Sequence, residues 1–405
     1  MNKNVVITGI GIVSPIGIGK KDFFENLFVG KSAFKPITLF DTKDLKVNTA
    51  GEIADFNPKQ ILTGKIGDFD RATRLLLCAV KFCLDDSGYQ INEANTHKTA
   101  ICAGTTFGSL ASVSKFDQSA LTDGPRFVNP SLFPSTVGNS AASRAAIMFK
   151  IKGANATISS GMSAGLDALD YACDQIALGK YPSVLCCGLE DLAYQIFLGF
   201  YKLNYLAGIK GEFISCPFDK RRNGIVLSEG AVTFLLEDEA SAKSADRKIY
   251  AKVLGIGASF DPAKFYMYNP KGEGMKTSMM AALTDAGLTA KDIDCVFASA
   301  NSTKDGDLIE SKSLNEVFKD NPDVPVTAIK SVIGETYSAS GSFALAAAIG
   351  ALEVGGIPAT INSDIHNSDC RINLITKPLS KSLKTIMINA FGPDGANTSV
   401  IVGRP

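Results

Sequence analysis

Lys276-Thr277-Ser278-Met279-Met280-Ala281-Ala282-Leu283-Thr284-Asp285-Ala286-Gly287-Leu288 runs through the polar turn Lys291-Asp292-Ile293-Asp294 into Cys295-Val296-Phe297-Ala298. The first part spaces its apolar residues as a helix does, and Gly287 is a helix stop. The last part is a short, continuous apolar run of the kind a strand covered on both faces shows. The same order of signals occurs about half a chain earlier. There the helical pattern of residues 72–87 stops at Gly88-Tyr89 and leads through a polar stretch into Ala100-Ile101-Cys102-Ala103. A second pair of copies is Gly161-Met162-Ser163-Ala164-Gly165 and Ser338-Ala339-Ser340-Gly341-Ser342, each opening a helix. A period this long means a duplicated domain and not a solenoid.

Working outward, further covered strands are expected at residues 5–9, 99–104, 183–187, 232–236, 249–256, 296–298, 385–389 and 399–402. Helices are expected at 71–87, 163–177, 274–286 and 341–352. Strands alternating with helices give an α/β class. The halves are residues 1–245 and 246–405, joined in the polar stretch 240–248.

The chain has 405 residues with 41 Lys plus Arg against 41 Asp plus Glu, 45% apolar and 20% charged residues. That composition is globular and excludes disorder. Zero net charge lacks the sustained basic field that nucleic acid or an anionic membrane requires. The nine cysteines, Cys78, Cys83, Cys102, Cys173, Cys186, Cys187, Cys216, Cys295 and Cys370, form no CxxC pair and sit mostly in apolar runs. They read as buried reduced thiols in a cytoplasmic protein. The two histidines, His97 and His366, lack ligand spacing, so no zinc site and no cofactor is expected. The opening apolar run is broken by Pro15 and is not expected to be a signal peptide. Residues 342–352 are membrane-like but far short of the roughly 20 residues a span needs, and are expected as a helix buried in protein. Gly9-Ile10-Gly11 mimics a dinucleotide fingerprint without its third glycine, and Pro15 is a poor helix start there. A tight turn is expected instead.

These residues carry a resemblance. Val5-Val6-Ile7-Thr8-Gly9-Ile10-Gly11-Ile12-Val13-Ser14-Pro15-Ile16-Gly17 is similar to the opening of β-ketoacyl-acyl-carrier-protein synthases. Cys216-Pro217-Phe218-Asp219-Lys220-Arg221-Arg222-Asn223-Gly224 with Ser228-Glu229-Gly230-Ala231 resembles their central block. Lys330-Ser331-Val332-Ile333-Gly334 resembles their lysine loop, and Asn389-Ala390-Phe391-Gly392 their closing glycine loop. The resemblance implies a thiolase-like five-layered αβαβα fold, made of two duplicated halves and assembled as a dimer.

It also implies where the chemistry should lie. Those enzymes need a thiolate at a helix amino terminus, two imidazoles that support malonyl decarboxylation, and backbone N–H groups that hold an oxyanion. Here the cysteine position falls on Met162, whose thioether has no proton to lose. The first histidine position falls on Ser299, or on Asn301 if a short gap is allowed. The second falls on Glu335, expected as an exposed carboxylate that would repel malonate and that salt-bridges Lys330 or an arginine. Pro393-Asp394 replaces a Phe-Gly step, and proline has no N–H to donate. Lys330 and Glu310 are retained and are expected as charge-pairing residues. Catalytic residues are therefore expected to be none.

An intact scaffold with an emptied site resembles the chain length factor of type II polyketide systems, a non-condensing homologue paired with an active ketosynthase that works with an acyl carrier protein. In that family a related region lines an acyl tunnel at the dimer interface. The matching candidates here are Phe107, Leu110, Phe116, Leu132 and Phe133, with core packing as the alternative for each. Two other readings stand beside this one. One is an acyltransferase using Ser160 or Ser163 with Glu335 as base. The other is a purely structural ketosynthase partner.

Overall fold

A computed structural model describes residues 4–63, 67, 69–264, 266–365 and 367–405; His366 lies outside the described residues. The main sheet is built from β1 Val5–Ser14, β2 Thr99–Gly104, β3 Asn155–Ile158, β4 Ser183–Glu190, β5 Gly230–Asp238, β6 Ala251–Phe260, β7 Cys295–Phe297, β8 Pro325–Thr327, β9 Thr385–Phe391 and β10 Ala396–Gly403. Four helices matter most: α1 Arg71–Ser87, α2 Ala164–Ala177, α3 Glu273–Ala286 and α4 Ser340–Val354.

These ten and two two-residue strands, Gly17–Ile18 and Asn373–Leu374, join into one 12-stranded sheet whose order repeats. Outward from the middle it runs β1-β5-β4-β2-β3 on one side and β6-β10-β9-β7-β8 on the other. The seam is a short antiparallel ladder, Val5 to Val253, Val6 to Lys252 and Ile7 to Ala251. In each half the outer strands pair in parallel and the inner ones antiparallel, so the duplication extends to strand direction. Helices α1 and α3 cover the outer faces. Helices α2 and α4 pack against each other between the half-sheets, giving five layers.

The glycines at Gly9 and Gly11 lie inside β1, not in a tight turn as expected. A Cβ on Gly11 would stand 1.9 Å from the Ala79 carbonyl oxygen, and one on Gly9 would stand 2.8 Å from that of Cys83. Residues two apart face the same side of a strand, so this pair lets α1 settle directly on the backbone of β1. The second half repeats the device. Gly255 and Gly257 of β6 face Ala282 and Ser278 of α3, where a Cβ would meet carbonyl oxygens at 2.5 and 2.2 Å.

Capping fixes the helix ends. Asp70 accepts the N–H of Thr73 at 2.8 Å to start α1. Gly88 and Gly287 end α1 and α3 in the left-handed region, at φ 63 and 64. Helix α4 is buried on every side from Ser340 to Leu352. The stretch Tyr337–Val354 is long and apolar enough, by length and composition, to cross a bilayer, but 89% of it is buried inside the protein, as a core helix is.

Candidate functional site

Strand β3 ends at Ile158, and a 3-10 turn over Gly161–Ser163 leads directly into α2. Gly161 sits at φ 87, a conformation that favours glycine. Met162 follows, buried, in an apolar cluster with Leu192, Ile196, Phe197, Phe200 and Tyr337. Its N–H is the amide that a helix start would offer to an anion. That N–H donates to Asp394 Oδ2 at 3.0 Å. Asp394 Oδ1 also accepts the N–H of Ala396 at 3.2 Å. A Cβ on Gly161 or on Gly392 would lie 2.0 or 2.3 Å from this carboxylate, so a side chain at either position would push Asp394 out of its place. Burial raises the Asp394 carboxyl above the ordinary aspartate range, partly offset by the N–H groups of Met162 and Ala396. The closing loop therefore does more than lose a donor at Pro393: it places an acceptor where a donor was expected.

Glu335 corrects a second expectation. It is buried, not exposed, and its Oε2 lies 2.9 Å from Lys330 Nζ. The same oxygen accepts Asn301 Nδ2 at 2.9 Å, while Oε1 accepts the Tyr337 N–H at 2.9 Å and the Ser340 hydroxyl. Lys330 Nζ also donates to the Ser299 carbonyl at 2.8 Å. A charge surrounded in this way is part of the structure and does not face a substrate.

Ser299 is tied to the closing loop. Its Oγ accepts the Phe391 N–H at 2.9 Å, and its own N–H donates to Glu310 Oε1 at 2.8 Å. Glu310 was expected to pair with a charge, but among the described residues it forms no ion pair. It accepts neutral donors, Ser299 N and Asn389 Nδ2 at 3.3 Å, and burial pushes its carboxyl up to about 7. The space left among Ser299, Asn301, Asp307, Glu310 and Phe391 is about 10 Å³, room for a water at most.

The serine alternative is not assembled. Ser160 and Ser163 both donate to Asp167 Oδ2, the latter at 2.7 Å, and Thr398 donates to its other oxygen. Glu335 receives neither serine. Asp167 was missed in the sequence, although its position four residues after Ser163 puts both on one helix face. The cysteines offer no replacement nucleophile: all are unpaired, all are buried except the half-buried Cys173, and burial pushes thiols such as Cys187 and Cys216 up to about 12. His97 is exposed. Among the described residues no group of three or more His, Cys, Asp or Glu is placed to hold a metal ion.

The tunnel candidates separate into two places. Phe107 and Leu110 pack against the Met162 cluster. The Phe107 ring lies 4.8 Å from that of Tyr337 and edge-on to Phe200 at 6.5 Å, and Tyr205 and Tyr266 extend the aromatic group. Glu190 holds the Phe107 backbone, accepting the N–H groups of Thr106 and Phe107 at 3.0 and 3.2 Å. Phe116 lies further along the helix that Leu110 begins, Leu110–Thr122, none of whose side chains is fully buried, and it is not part of the Met162 cluster. It faces Phe133 at 6.1 Å. Phe133 is 58% exposed, Leu132 is half-buried, and Leu121 and Phe127 nearby are exposed too. The sequence reading missed Phe200, Tyr205, Tyr266 and Tyr337, which share no local spacing with Phe107.

Known proteins are similar to this chain in sequence and fold. Residues 2–242 match the family described as beta-ketoacyl synthase, N-terminal domain, and residues 250–364 match beta-ketoacyl synthase, C-terminal domain. The chain is 30% identical to 3-oxoacyl-(acyl-carrier-protein) synthase 2 of Coxiella burnetii over 99% of both chains. It is 29% identical to the tetracenomycin polyketide synthase ketoacyl synthase alpha subunit of Streptomyces glaucescens, over 100% of this chain and 97% of that one. Among solved structures, a chain of the ishigamide ketosynthase/chain length factor superposes with a TM-score of 0.93 at 29% identity, covering 100% of both.

Proposed function

The chain belongs to the beta-ketoacyl synthase family, and within that family we propose that it is a non-condensing chain length factor. It would pair with an active ketosynthase that draws acyl groups from an acyl carrier protein, and would shape the tunnel in which the chain grows. One observation carries this reading. The residue at the start of α2, where a thiolate is needed, is the buried thioether Met162, and its N–H is already bonded to Asp394.

Condensation needs a sulfur that forms and releases an acyl bond. A thioether forms none without becoming a sulfonium. Decarboxylation of the extender also needs donors that strengthen as negative charge grows on the thioester oxygen. The resemblance sets Ser299, or Asn301 with a short gap, and Glu335 at the two imidazole positions. Ser299 is bonded to Phe391, Asn301 to Glu335, and Glu335 is an acceptor already paired with Lys330. The curated relatives named above are synthases by name, and the ishigamide protein is a ketosynthase with a chain length factor. The side chains at the start of α2 favour the second comparison. The aromatic group around Phe107 gives the proposed tunnel a wall that would stop an apolar chain.

The test is expression with and without a ketosynthase and carrier protein from the same source. The isolated chain is expected to yield no β-ketoacyl product from acyl and malonyl carriers, and the co-expressed pair to purify as a heterodimer. Condensation by the isolated chain would overturn the proposal. In an active pair, Phe107→Ala is expected to lengthen the products seen by mass spectrometry. Unchanged product lengths in Phe107→Ala and Leu110→Ala would leave only a structural partnership.

A further inference from the structure

Asp394 reaches the start of α2 from a turn 232 residues away in sequence. Helix starts attract anions, because their first N–H groups point outward and the helix dipole adds to them. This one is already satisfied. Its Met162 N–H is bonded to Asp394 Oδ2 at 3.0 Å, and the other oxygen is held by Ala396 N–H at 3.2 Å. The glycine flanks, Gly161 and Gly392, leave the carboxylate just enough room. Asp167, the carboxylate that faces this turn from α2, is engaged by Ser160, Ser163 and Thr398, and its charge adds to the rise that burial gives the Asp394 carboxyl without reaching the Met162 N–H. Asp394 thus stands where the oxygen of a bound acyl carbonyl would have to sit to receive the Met162 N–H.

We propose that Asp394 is a tethered carboxylate that fills the anion-binding corner at the start of α2 and excludes a substrate carbonyl from it. This deepens the non-condensing reading above and rests on it. The missing thiol and the filled corner are two separate blocks, so restoring one alone should restore little.

The experiment uses the full chain carrying Met162→Cys alone, with Asp394→Asn, or with Asp394→Ala. Two probes are followed by intact mass. Iodoacetamide reports thiolate character, and the N-acetylcysteamine thioester of acetate reports use of the corner. In the second reaction the introduced sulfur forms a new bond to the carbonyl carbon. The N-acetylcysteamine sulfur leaves with the electrons of the old bond and takes up the proton the introduced thiol has lost.

Asp394→Asn, which keeps the shape and removes the charge, is expected to speed alkylation about ten-fold over Met162→Cys alone, as loss of a neighbouring like charge lowers a thiol pKa. Asp394→Ala is expected to speed acetyl transfer further, because it also empties the corner. Equal acetylation rates in all three folded variants would overturn the proposal. So would a rise in alkylation with no rise in acetylation in Asp394→Ala, since the charge would then matter and the emptied corner would not. If Asp394→Ala does not fold, Asp394→Ser, which also withdraws the acceptor from the Met162 N–H, takes its place in the same comparison. Condensation by the unaltered chain would refute the functional reading and this proposal with it, whereas equal acetylation rates in the variants of a chain that does not condense would refute this proposal alone.

Discussion

The starts of α2 and α4 lie against each other in the middle layer and are copies of one duplicated element. A Cβ on Gly165 would meet Ser342 Oγ at 2.5 Å, and one on Gly341 would meet the Leu166 side chain at 2.6 Å. Each start gives an early N–H to a carboxylate, Met162 to Asp394 and Tyr337 to Glu335. The carboxylates differ in what balances them. Glu335 comes from two residues earlier and has the Lys330 ammonium at 2.9 Å. Asp394 comes from the far end of the chain and, among the described residues, is held by backbone N–H groups with no cation. Pairing makes the first a structural cap. The second leaves negative charge standing where the family resemblance puts its chemistry.

Breaking the balanced start should cost most. Lys330→Ala strands Glu335 in the interior, with an expected loss of about 3–5 kcal/mol in urea denaturation. Replacing both partners with apolar residues, Lys330→Met with Glu335→Leu, should recover most of it. A mild Lys330→Ala would erase the contrast between the two starts.

A second test uses Glu310, which like Asp394 is held by neutral donors. Its folded-state pKa of about 7 lies above the ordinary 4.5, so the folded protein binds its proton more tightly. The stability this adds is fully present below about pH 4.5 and is lost as pH rises through 7. Glu310→Gln should remove that slope, a change on the order of 2–3 kcal/mol between urea midpoints at pH 4.5 and 8. An unchanged slope would reject the idea that a carboxylate without a cation behaves differently here.

Asp394→Ala should have the smallest effect on stability, about 1 kcal/mol, because the lost hydrogen bond is set against relief of a half-buried charge. The raised Asp394 pKa sets the sign. Its contribution is greatest in acid and shrinks with rising pH, so the variant should compare best with the unaltered protein at pH 8. A loss as large as that of Lys330→Ala would make Asp394 a structural cap too.

The frame of this protein is readable in its sequence because helix period, covered strands and glycine stops are local signals. The repeat around residues 276–298 announces two equal halves, and Gly88 and Gly287 mark helix ends where they occur. Gly9-Ile10-Gly11 shows the limit of such signals. Glycine marks a turn or a close approach equally well, and only the packing of Ala79 and Cys83 on the strand separates the two. Charges are harder. Glu335 reads as exposed until Asn301 and Lys330 fold around it. Met162, Ser299 and Glu335 are located by alignment with motifs, whereas the reach of Asp394 to Met162 crosses most of the chain and leaves no local trace.

The seam between the halves has a consequence for synthesis on the ribosome. All of β1-β5-β4-β2-β3 is encoded before residue 239, so the first half can close its strand order while the second is still being translated. During that interval the side of α2 bearing Gly165 and Leu166 has no α4 to cover it. The nascent protein then exposes a sticky apolar strip until translation passes Val354, and this is the period in which chaperone capture or clumping would compete with completion.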